Sequence, residues 1–479
     1  MTDSKNSQGA LSSSAANFTA GKKNFLSFDG GVRAAGVVAK PSSNNLKDFV
    51  EIEHKLLKRQ KPRIPMGAGL SFGAPQFGEG VVSVDHTAFT RVLGFDEETG
   101  LVEVESGATM AHLYNFLIEK ERYIVTQPGY PSITVGGCIA VDVHGKNHLR
   151  DGTCVAQVSS LKLYHPAYGI IEASSEVNRE VFDLTCGGYG LTGHILSAKL
   201  KTKPVTSRRM ALMNLPFDDV SLTPRMLKEC ARNNDFVVSW HDMTASGAGF
   251  GRGFLMMGKF FPGDGSEEER QYGGKVSLDW GLNAYSRRWP TSPLLGSSYY
   301  SLPFTRFMNV FYGSMSRSSQ EARTIAIYDC LQPMTRLREF YYRMFGLAGF
   351  HECQLIIPDE KFPLFLEQIE FAINRFEIPI TLGSAKYFSG TPNLLRFNGS
   401  GVCFALNFPR CTAGKRFIEF IDRLCLEEGF LPYIVKDSRL PLSVVEHCYG
   451  EHYHSFKKRL KAFDPERLFQ SEVSRRLAL

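Results

Sequence analysis

The sequence predicts an α+β fold in which strands outnumber long helices. Between residues 25 and 207, short stretches alternate apolar and polar side chains, as in VSSLKLYHP and HILSAKLKTKP. Such alternation is typical of half-buried strands. Residues 351–430 give the pattern of a strand, a helix, two strands and a second helix that ends at Gly429. Strands and helices together therefore predict an α+β chain.

The length of 479 residues predicts more than one structural unit. A chain this long exceeds what one hydrophobic core usually serves, so we expect two domains or one domain with a large insertion. From about residue 208 long aromatic-rich segments such as GFLMMGKFFPGDG appear. We therefore divide the chain into a first domain over 25–207, a second over 208–430 and a C-terminal segment over 431–479.

Residues 1–24 predict a disordered leader, because they are rich in Ser, Asn, Gly and Ala and lack the apolar core of a signal peptide. Nowhere do about 18 uncharged apolar residues run together, so we predict no membrane-spanning helix. The ten cysteines are scattered without a CxxC pair, which is typical of reduced thiols. We expect a cytoplasmic protein, and peripheral membrane contact is compatible with this sequence.

The charge pattern argues against a nucleic-acid partner. The net charge is +6, and neither a long Lys/Arg run nor a basic stripe interleaved with aromatic residues is present. Hydrophobic residues at 43% and charged residues at 22% are values of a globular protein. We therefore expect a small-molecule partner and no nucleic acid.

Two histidine clusters raise the question of a metal site. His144 and His148 are four residues apart, but such a pair needs a helix and a third ligand, and Gly145 indicates a loop. The cluster EHCYGEHYH, residues 446–454, fits neither a zinc finger nor HExxH. We predict no metal site, and a structural role for His148.

Three glycine-rich segments in the first domain predict a large cofactor that carries phosphate. Glycine lets the backbone approach a ligand closely and point successive N–H groups into one concavity. The patterns match neither a Walker loop nor the GxGxxG of a dinucleotide site. The segments are MGAGLSFG at 66–73, TQPGYPSITVGGCIAVDVHG at 126–145 and CGGYGLTGHI at 186–195.

These motifs carry a family resemblance. GAGLSFG, VEVESGATMAHL, TVGGCIAVDVHGKNH and GGYGLTG together resemble the PCMH-type FAD-binding domain of the vanillyl-alcohol-oxidase superfamily. Within it, HGKNH, KDSR and DPERLFQSEVSRRL resemble the decaprenylphosphoryl-ribose 2′-oxidases, flavoproteins that form half of an epimerase of lipid-linked sugars. The resemblance runs from about residue 25 to the C-terminus. It implies a two-part FAD-binding domain, completed by residues 431–479, and a substrate domain with an antiparallel sheet flanked by helices.

The resemblance also implies which residues hold FAD. The first loop would wrap the pyrophosphate, and Tyr433 and Lys436 would meet the isoalloxazine ring. The first-loop residues are Gly67, Ala68, Gly69, Leu70 and Ser71. The residues expected along the rest of the cofactor are Thr134, Gly136, Gly137, Ala140, Val141, Val143, His144, Asn147, Gly190 and Ile195.

Some positions depart from the family pattern. Leu70 stands where many members have a histidine joined to the flavin, and leucine cannot form that bond, so we predict non-covalent FAD. Phe72 stands where the related enzymes have a tyrosine. Ala405 takes the place of an active-site cysteine, and Cys403 lies on the same strand face by alternation. Phe72, Cys403 and Ala405 are therefore candidate substrate-pocket residues.

Lys436 and His144 are the candidate catalytic residues. LPYIV, before Lys436, predicts an apolar strand that points into the body, where burial would lower the pKa of the ammonium. A cation there would stabilise the anionic reduced flavin, in the manner of an oxyanion hole. Lys386 is a candidate contact for a substrate phosphate, and Trp240 a candidate pocket wall.

The resemblance implies oxidation of a secondary hydroxyl on a phosphorylated sugar, linked to polyprenyl phosphate, to give a keto sugar. This would be the first half of a 2′-epimerisation in cell envelope biosynthesis, and a separate NAD(P)H-dependent reductase would complete it. Two alternatives are open: an aldonolactone or sugar-alcohol oxidase of the same superfamily, and a non-redox enzyme that uses flavin as a scaffold.

Overall fold

The strands form four sheets within the residues that the structure describes. The structure is a computed structural model, and it describes residues 18–262, 272–276, 298–318, 321–332 and 338–479. Strands and helices are both abundant in these ranges, so the α+β prediction is confirmed.

The first sheet has four strands in the order β1-β2-β4-β3. β1 and β2 are antiparallel, whereas β4 is parallel to both of its neighbours. Helix α1 (Leu46–Lys58) covers it with an apolar face, and Asn45 caps the helix by accepting from the N–H of Lys47. The strands are β1 (Phe18–Leu26), β2 (Arg33–Pro41), β3 (Arg63–Met66) and β4 (Val82–Asp85).

Strand β1 overlaps the end of the disordered leader that we predicted for residues 1–24. It begins at Phe18, so the prediction is wrong for residues 18–24. Phe18 and Phe25 are buried near its ends, while the polar side chains between them face solvent and hide the strand pattern. Residues 1–17 lie outside the described residues.

The second sheet is antiparallel, with five strands in the order β5-β6-β10-β8-β9. VSSLKLYHP and HILSAKLKTKP form β8 and β10, as predicted. The strands are β5 (Val92–Asp96), β6 (Leu101–Glu105), β8 (Val158–His165), β9 (Gly169–Ser174) and β10 (His194–Lys201). The short pair is β7 (Arg122–Tyr123) and β11 (Lys203–Pro204), and the helices are α2 (Met110–Leu117), α3 (Val135–Ala140), α4 (His148–Asp151) and α5 (Arg179–Thr185).

The largest sheet is antiparallel, with eight strands in the order β15-β12-β14-β13-β17-β18-β16-β19. The strands are β12 (Arg209–Phe217), β13 (Phe236–His241), β14 (Gly253–Phe260), β15 (Arg323–Ala326), β16 (Phe350–Ile357), β17 (Leu382–Ser389), β18 (Ser400–Pro409) and β19 (Leu431–Pro432). The remaining helices are α6 (Thr223–Asn233), α7 (Leu302–Ser318), α8 (Ile327–Leu331), α9 (Arg338–Arg343), α10 (Phe362–Phe376), α11 (Thr412–Glu428), α12 (Leu442–Tyr449), α13 (Glu451–Phe463) and α14 (Glu472–Arg476).

Alternation along β18 divides this sheet into an apolar face and a polar face. Phe404 and Phe408 turn toward helices α10 and α11, where their rings contact Phe365 and Phe417. Cys403, Ala405 and Asn407 point to the opposite face. As predicted, α11 ends at Gly429, which has a φ of +72° and donates its N–H to the carbonyl of Cys425.

The segment after β19 packs back onto the first sheet. The N–H of Arg63 in β3 donates to Leu468, and the N–H of Gln470 donates back to Arg63. The N–H of Gly73 donates to the carbonyl of Val435 at 2.9 Å. None of the helices in the described ranges combines the length and the apolar character that crossing a membrane requires.

Candidate active site

A cavity of about 850 Å³ lies between the three glycine-rich segments and the polar face of the eight-stranded sheet. This volume is within the range of ligand cavities. Every candidate site residue named from the sequence lines it except Asn147. Those from the glycine-rich segments are Gly67, Ala68, Gly69, Leu70, Ser71, Phe72, Thr134, Gly136, Gly137, Ala140, Val141, Val143, His144, Gly190 and Ile195; the others are Trp240, Lys386, Cys403, Ala405, Tyr433 and Lys436.

The first loop, Gly67 to Ser71, presents a row of free backbone N–H groups. Within the described residues, none of these five N–H groups donates to a protein acceptor. Gly69 has a φ of +73°, which glycine adopts without strain. A run of N–H groups on the wall of a cavity is the arrangement that binds phosphate, so this loop fits the pyrophosphate of FAD.

The second loop packs so closely against the first loop and against Ser106 that two of the glycines have no room for a side chain. A Cβ at Gly67 would lie 2.2 Å from Oγ1 of Thr134, and a Cβ at Gly136 would lie 2.8 Å from the Ser106 side chain. Thr134 caps α3 by accepting from the N–H of Gly137 at 3.3 Å. These glycines let two loops meet at the cavity wall, which suits close approach of a cofactor.

Asn147 does not line the cavity, so the structure does not support its predicted contact with FAD. Its amide donates to the carbonyls of Ala231 and Asn234, at 3.1 and 2.9 Å. The side chain is 5% exposed and ties the second loop to α6. Lys146, its neighbour, lines the cavity instead.

The polar face of the eight-stranded sheet forms the opposite wall. The register pairs Lys386 of β17 with Cys403 of β18, and Ala405 of β18 with Gln354 of β16. Cys403 and Ala405 both reach the cavity, as strand alternation predicted. Burial raises the pKa of the Cys403 thiol to about 12, so the thiol stays protonated and is a poor nucleophile.

Lys436 is part of an ion pair, which the sequence did not predict. Its Nζ lies 3.0 Å from Oε1 of Glu352 and 4.2 Å from the ring centre of Phe72. The predicted strand LPYIV also ends early, because β19 stops at Pro432. A turn follows, closed by the N–H of Lys436 donating to the carbonyl of Tyr433 at 3.1 Å.

His144 contacts two polar side chains from the sheet. Its Nε2 lies 3.0 Å from Oε1 of Gln354, and its Nδ1 lies 3.3 Å from Nζ of Lys386. Burial, followed by the positive charge of Lys386, lowers the pKa of His144 well below its usual value. The imidazole is therefore neutral at physiological pH.

Lys386 lies on the cavity wall beside His144. Burial lowers the pKa of its ammonium, and the nearby charge of Lys436 acts in the same direction. A lysine in such surroundings exchanges its proton more readily than one on the surface.

Two aromatic side chains close the apolar end of the cavity. The ring of Trp240 on β13 contacts that of Tyr312 on α7, edge to face at 5.2 Å. Met308, one turn earlier on α7, also lines the cavity. Trp240 therefore lines the cavity.

The sequence reasoning missed Glu352, Gln354 and Asn407, which all line the cavity. The nitrogens Nε2 of Gln354 and Nδ2 of Asn407 both donate to Glu352, at 2.8 and 3.1 Å. A signal was present in HECQLII, because Glu352 and Gln354 lie two residues apart in a strand that is apolar apart from them and His351. Alternation puts both on one face, where buried polar groups need partners.

Comparison with known proteins agrees with this geometry. Residues 35–174 match the family described as FAD binding domain. Over 435 residues the chain is 26% identical to decaprenylphosphoryl-β-D-ribose oxidase of Mycolicibacterium smegmatis, a match that covers 87% of this chain and 89% of that protein.

Two further relatives match a smaller part of the chain. The chain is 34% identical over 138 residues to mitochondrial L-galactono-1,4-lactone dehydrogenase 1 of Oryza sativa subsp. japonica, covering 29% of this chain and 23% of that protein. It is 26% identical over 174 residues to D-lactate dehydrogenase of Anaerostipes hadrus, covering 35% and 36%. Residues 35–174 therefore form an FAD binding domain, and the chain is an FAD-dependent oxidoreductase.

Proposed function

We propose that this chain oxidises a secondary hydroxyl of a phosphorylated sugar, linked to polyprenyl phosphate, to a keto sugar, as the first half of a 2′-epimerisation. One observation carries the proposal: within the cavity, His144 of the second glycine-rich segment meets Lys386 of the opposite sheet wall, and Lys436 lines the same cavity. The similarity to decaprenylphosphoryl-β-D-ribose oxidase, which spans most of both chains, supports it.

The first loop holds the cofactor without a covalent bond. Leu70 lines the cavity and offers no atom that could bond to a flavin. Gly67 to Ser71 bind the pyrophosphate through their N–H groups, and Tyr433 walls the cavity near its hydrogen bond to the carbonyl of Val141. FAD, when bound, supplies a two-electron acceptor for the hydride of the carbinol carbon.

His144 and Lys386 take the proton of the substrate hydroxyl. The neutral imidazole of His144 has an unprotonated nitrogen, and Lys386 lies 3.3 Å from its Nδ1. Burial lowers the pKa of both groups and keeps the imidazole neutral, so its unprotonated nitrogen is available to accept the hydroxyl proton. As the C–H hydrogen departs with its electron pair, the oxygen that has lost its proton forms the carbonyl bond.

Lys436 stabilises negative charge that develops near the reacting atoms. Its ammonium is anchored by Glu352 and by the ring of Phe72, so its position is fixed before any ligand arrives. A preorganised cation of this kind stabilises charge that develops during the reaction.

The cavity suits a substrate with both a phosphate and an apolar chain. Lys146, Lys386 and Lys436 line it and attract a phosphate. At the apolar end, Met308 and Tyr312 of α7 line the cavity, and Phe311 of the same helix is 54% exposed. An apolar path thus leads from the cavity to the surface, where a polyprenyl chain and a membrane would be met.

The keto sugar would pass to a separate NAD(P)H-dependent reductase, which would return it as the epimeric alcohol. Nothing in the oxidation itself requires the two enzymes to bind each other. We therefore propose the reductase as a functional partner.

Anaerobic mixing tests the substrate class. The purified holoprotein is mixed with a polyprenylphosphoryl pentose, a free sugar phosphate, an aldonolactone or a polyol, and the visible flavin absorbance is followed. We expect bleaching with the polyprenylphosphoryl pentose. Bleaching with only the lactone or polyol would instead identify a sugar-alcohol type of oxidase. Absence of bleaching with every alcohol would contradict redox turnover and favour a flavin-scaffold enzyme.

A further inference from the structure

Glu352 is a buried carboxylate at the centre of a polar network on the cavity wall. It is 5% exposed. Its Oε1 lies 3.0 Å from Nζ of Lys436 and accepts from Nε2 of Gln354 at 2.8 Å, while its Oε2 accepts from Nδ2 of Asn407 at 3.1 Å. An ionised carboxylate only accepts hydrogen bonds, so each neighbour must turn a donor toward it.

Gln354 transmits this constraint to His144. With its NH₂ group donating to Glu352, Gln354 leaves its oxygen Oε1 facing Nε2 of His144 at 3.0 Å. An amide oxygen only accepts, so Nε2 of the neutral imidazole carries the proton. The other nitrogen, Nδ1, is then unprotonated and accepts from Lys386 at 3.3 Å.

The structure also contains the alternative arrangement. Nδ1 of His144 lies 3.3 Å from the carbonyl oxygen of Gly145, to which it would donate if it carried the proton. Nε2 would then need a donor, which a reversed Gln354 amide would provide. That reversal would turn the oxygen of Gln354 against the Glu352 carboxylate, where two acceptors repel each other. The orientation of the Gln354 amide therefore determines which of the two tautomers His144 adopts.

We propose that Glu352 is a positioning residue that fixes His144 as the Nε2–H tautomer through Gln354, leaving Nδ1, shared with Lys386, as the proton acceptor of the cavity. The inference rests on the proposed function for the use of that acceptor. Glu352 acts here through its neighbours, since its own oxygens already accept from Gln354, Asn407 and Lys436. A glutamine at this position would carry both a donor and an acceptor and would no longer fix the Gln354 amide.

Nitrogen-15 NMR of the histidine-labelled holoprotein reads the tautomer directly. The spectrum of His144→Gln identifies the His144 signals by their loss. We expect Nε2 protonated and Nδ1 unprotonated in the wild type, and a full or partial move of the proton to Nδ1 in Glu352→Gln. Glu360→Gln removes an exposed carboxylate just after β16 and should leave the His144 signals unchanged. A wild-type tautomer retained in Glu352→Gln would overturn the proposal.

A swapped variant keeps the test decisive if Glu352→Gln alone folds poorly. In Glu352→Gln/Gln354→Glu the carboxylate faces Nε2 of His144 directly, so the Nε2–H tautomer should return. A mixture of tautomers in the swap would count against the proposed role.

Kinetics separate this inference from the proposed function. Glu352→Gln should slow flavin reduction by the substrate on the order of tenfold or more, mainly in kcat, because the wrong tautomer offers no base. The swapped variant should recover part of that loss. The NMR result needs no substrate, so a failure of the substrate assignment leaves it standing. A normal tautomer in a slow Glu352→Gln variant would refute the positioning role alone.

Discussion

At the scale of single residues, the pairing of Lys436 with Glu352 changes how the cavity presents its charge. An unpaired ammonium would attract any anion. The ammonium of Lys436 is instead held in one orientation by its contacts with Glu352 and with the ring of Phe72. Glu352 is buried, so removing Lys436 leaves a buried carboxylate without its partner, which costs more than losing a surface charge. Variants at these positions therefore report on both orientation and electrostatics.

Lys436→Ala should retain FAD but lose most of the reduction of flavin by substrate. The first loop, which holds the pyrophosphate in our proposal, is untouched, while the cation that we propose at the reacting atoms is gone. We expect a rate lower by on the order of 100-fold, the scale seen when one preorganised donor is removed. Stopped-flow absorbance measures it, with the exposed Lys415→Ala as a control. Normal turnover of Lys436→Ala would contradict the assigned role.

Leu70 predicts that the flavin leaves the protein on denaturation. Leucine has no nucleophilic atom, so precipitation with trichloroacetic acid should put the yellow colour into the supernatant. Spectra of supernatant and pellet measure the partition. A pellet that stays yellow after washing would mean that a covalent link exists elsewhere in the chain.

At the scale of elements, the glycine-rich segments act as a set because they contact one another. Gly67 packs on the side chain of Thr134, which in turn caps α3. A change in one loop therefore moves the next. Such coupling is absent for a glycine in an open strand, such as Gly21 in β1, where a Cβ would have no neighbour within 4 Å.

Gly67→Ala should weaken FAD binding, because its Cβ would lie 2.2 Å from Oγ1 of Thr134. Overpacking of this kind costs about 1–3 kcal/mol, which corresponds to roughly a tenfold loss of affinity or more. Fluorescence titration of the apoprotein with FAD measures the change. Gly21→Ala is the matched control and should bind as the wild type does. Equal affinities of the two variants would disprove the close packing.

The sequence predicted those elements whose evidence is local. Alternation and helical spacing identified β8, β10 and α11, and the glycine runs identified the loops of the cavity. The partner of Lys436 could not be predicted from a short motif, because it depends on the pairing of β19 with β16, which brings the following turn beside Glu352. The contacts of Asn147 could not be predicted for the same reason, since the carbonyls that accept from its side chain belong to α6 and the loop after it. A short sequence motif does not show which distant residues its side chains contact.

At the scale of the whole molecule, buried histidines make the stability of the fold depend on pH. His241 is 1% exposed and its Nδ1 lies 3.1 Å from the carbonyl of Gly251. Burial lowers its pKa to about 4. His86 and His194 lie 2.8 Å apart in the core of the first domain, and burial lowers the pKa of both. The folded state therefore resists protonation at several sites that are free to titrate once the chain unfolds.

Stability should fall as the pH drops from 6.5 toward 4. In that window the unfolded chain binds a proton at His241 and the folded chain does not, so the free energy of unfolding decreases with falling pH. His241 alone contributes about 3 kcal/mol across the window, from a pKa near 6.5 unfolded and about 4 folded. Thermal unfolding midpoints at several pH values measure this loss. His241→Gln should show a shallower pH dependence, and an unchanged slope would contradict the argument.

The return of the segment after β19 to the first sheet sets an order of events during synthesis. Gly73 and the cavity-lining part of the first loop emerge from the ribosome early, but the turn with Val435 and Lys436 that packs against them emerges much later. Until then one wall of the cavity is missing, and the buried partners of that wall face water. We therefore expect the cofactor to bind late in synthesis, and translation arrested before the turn to give a protein without flavin.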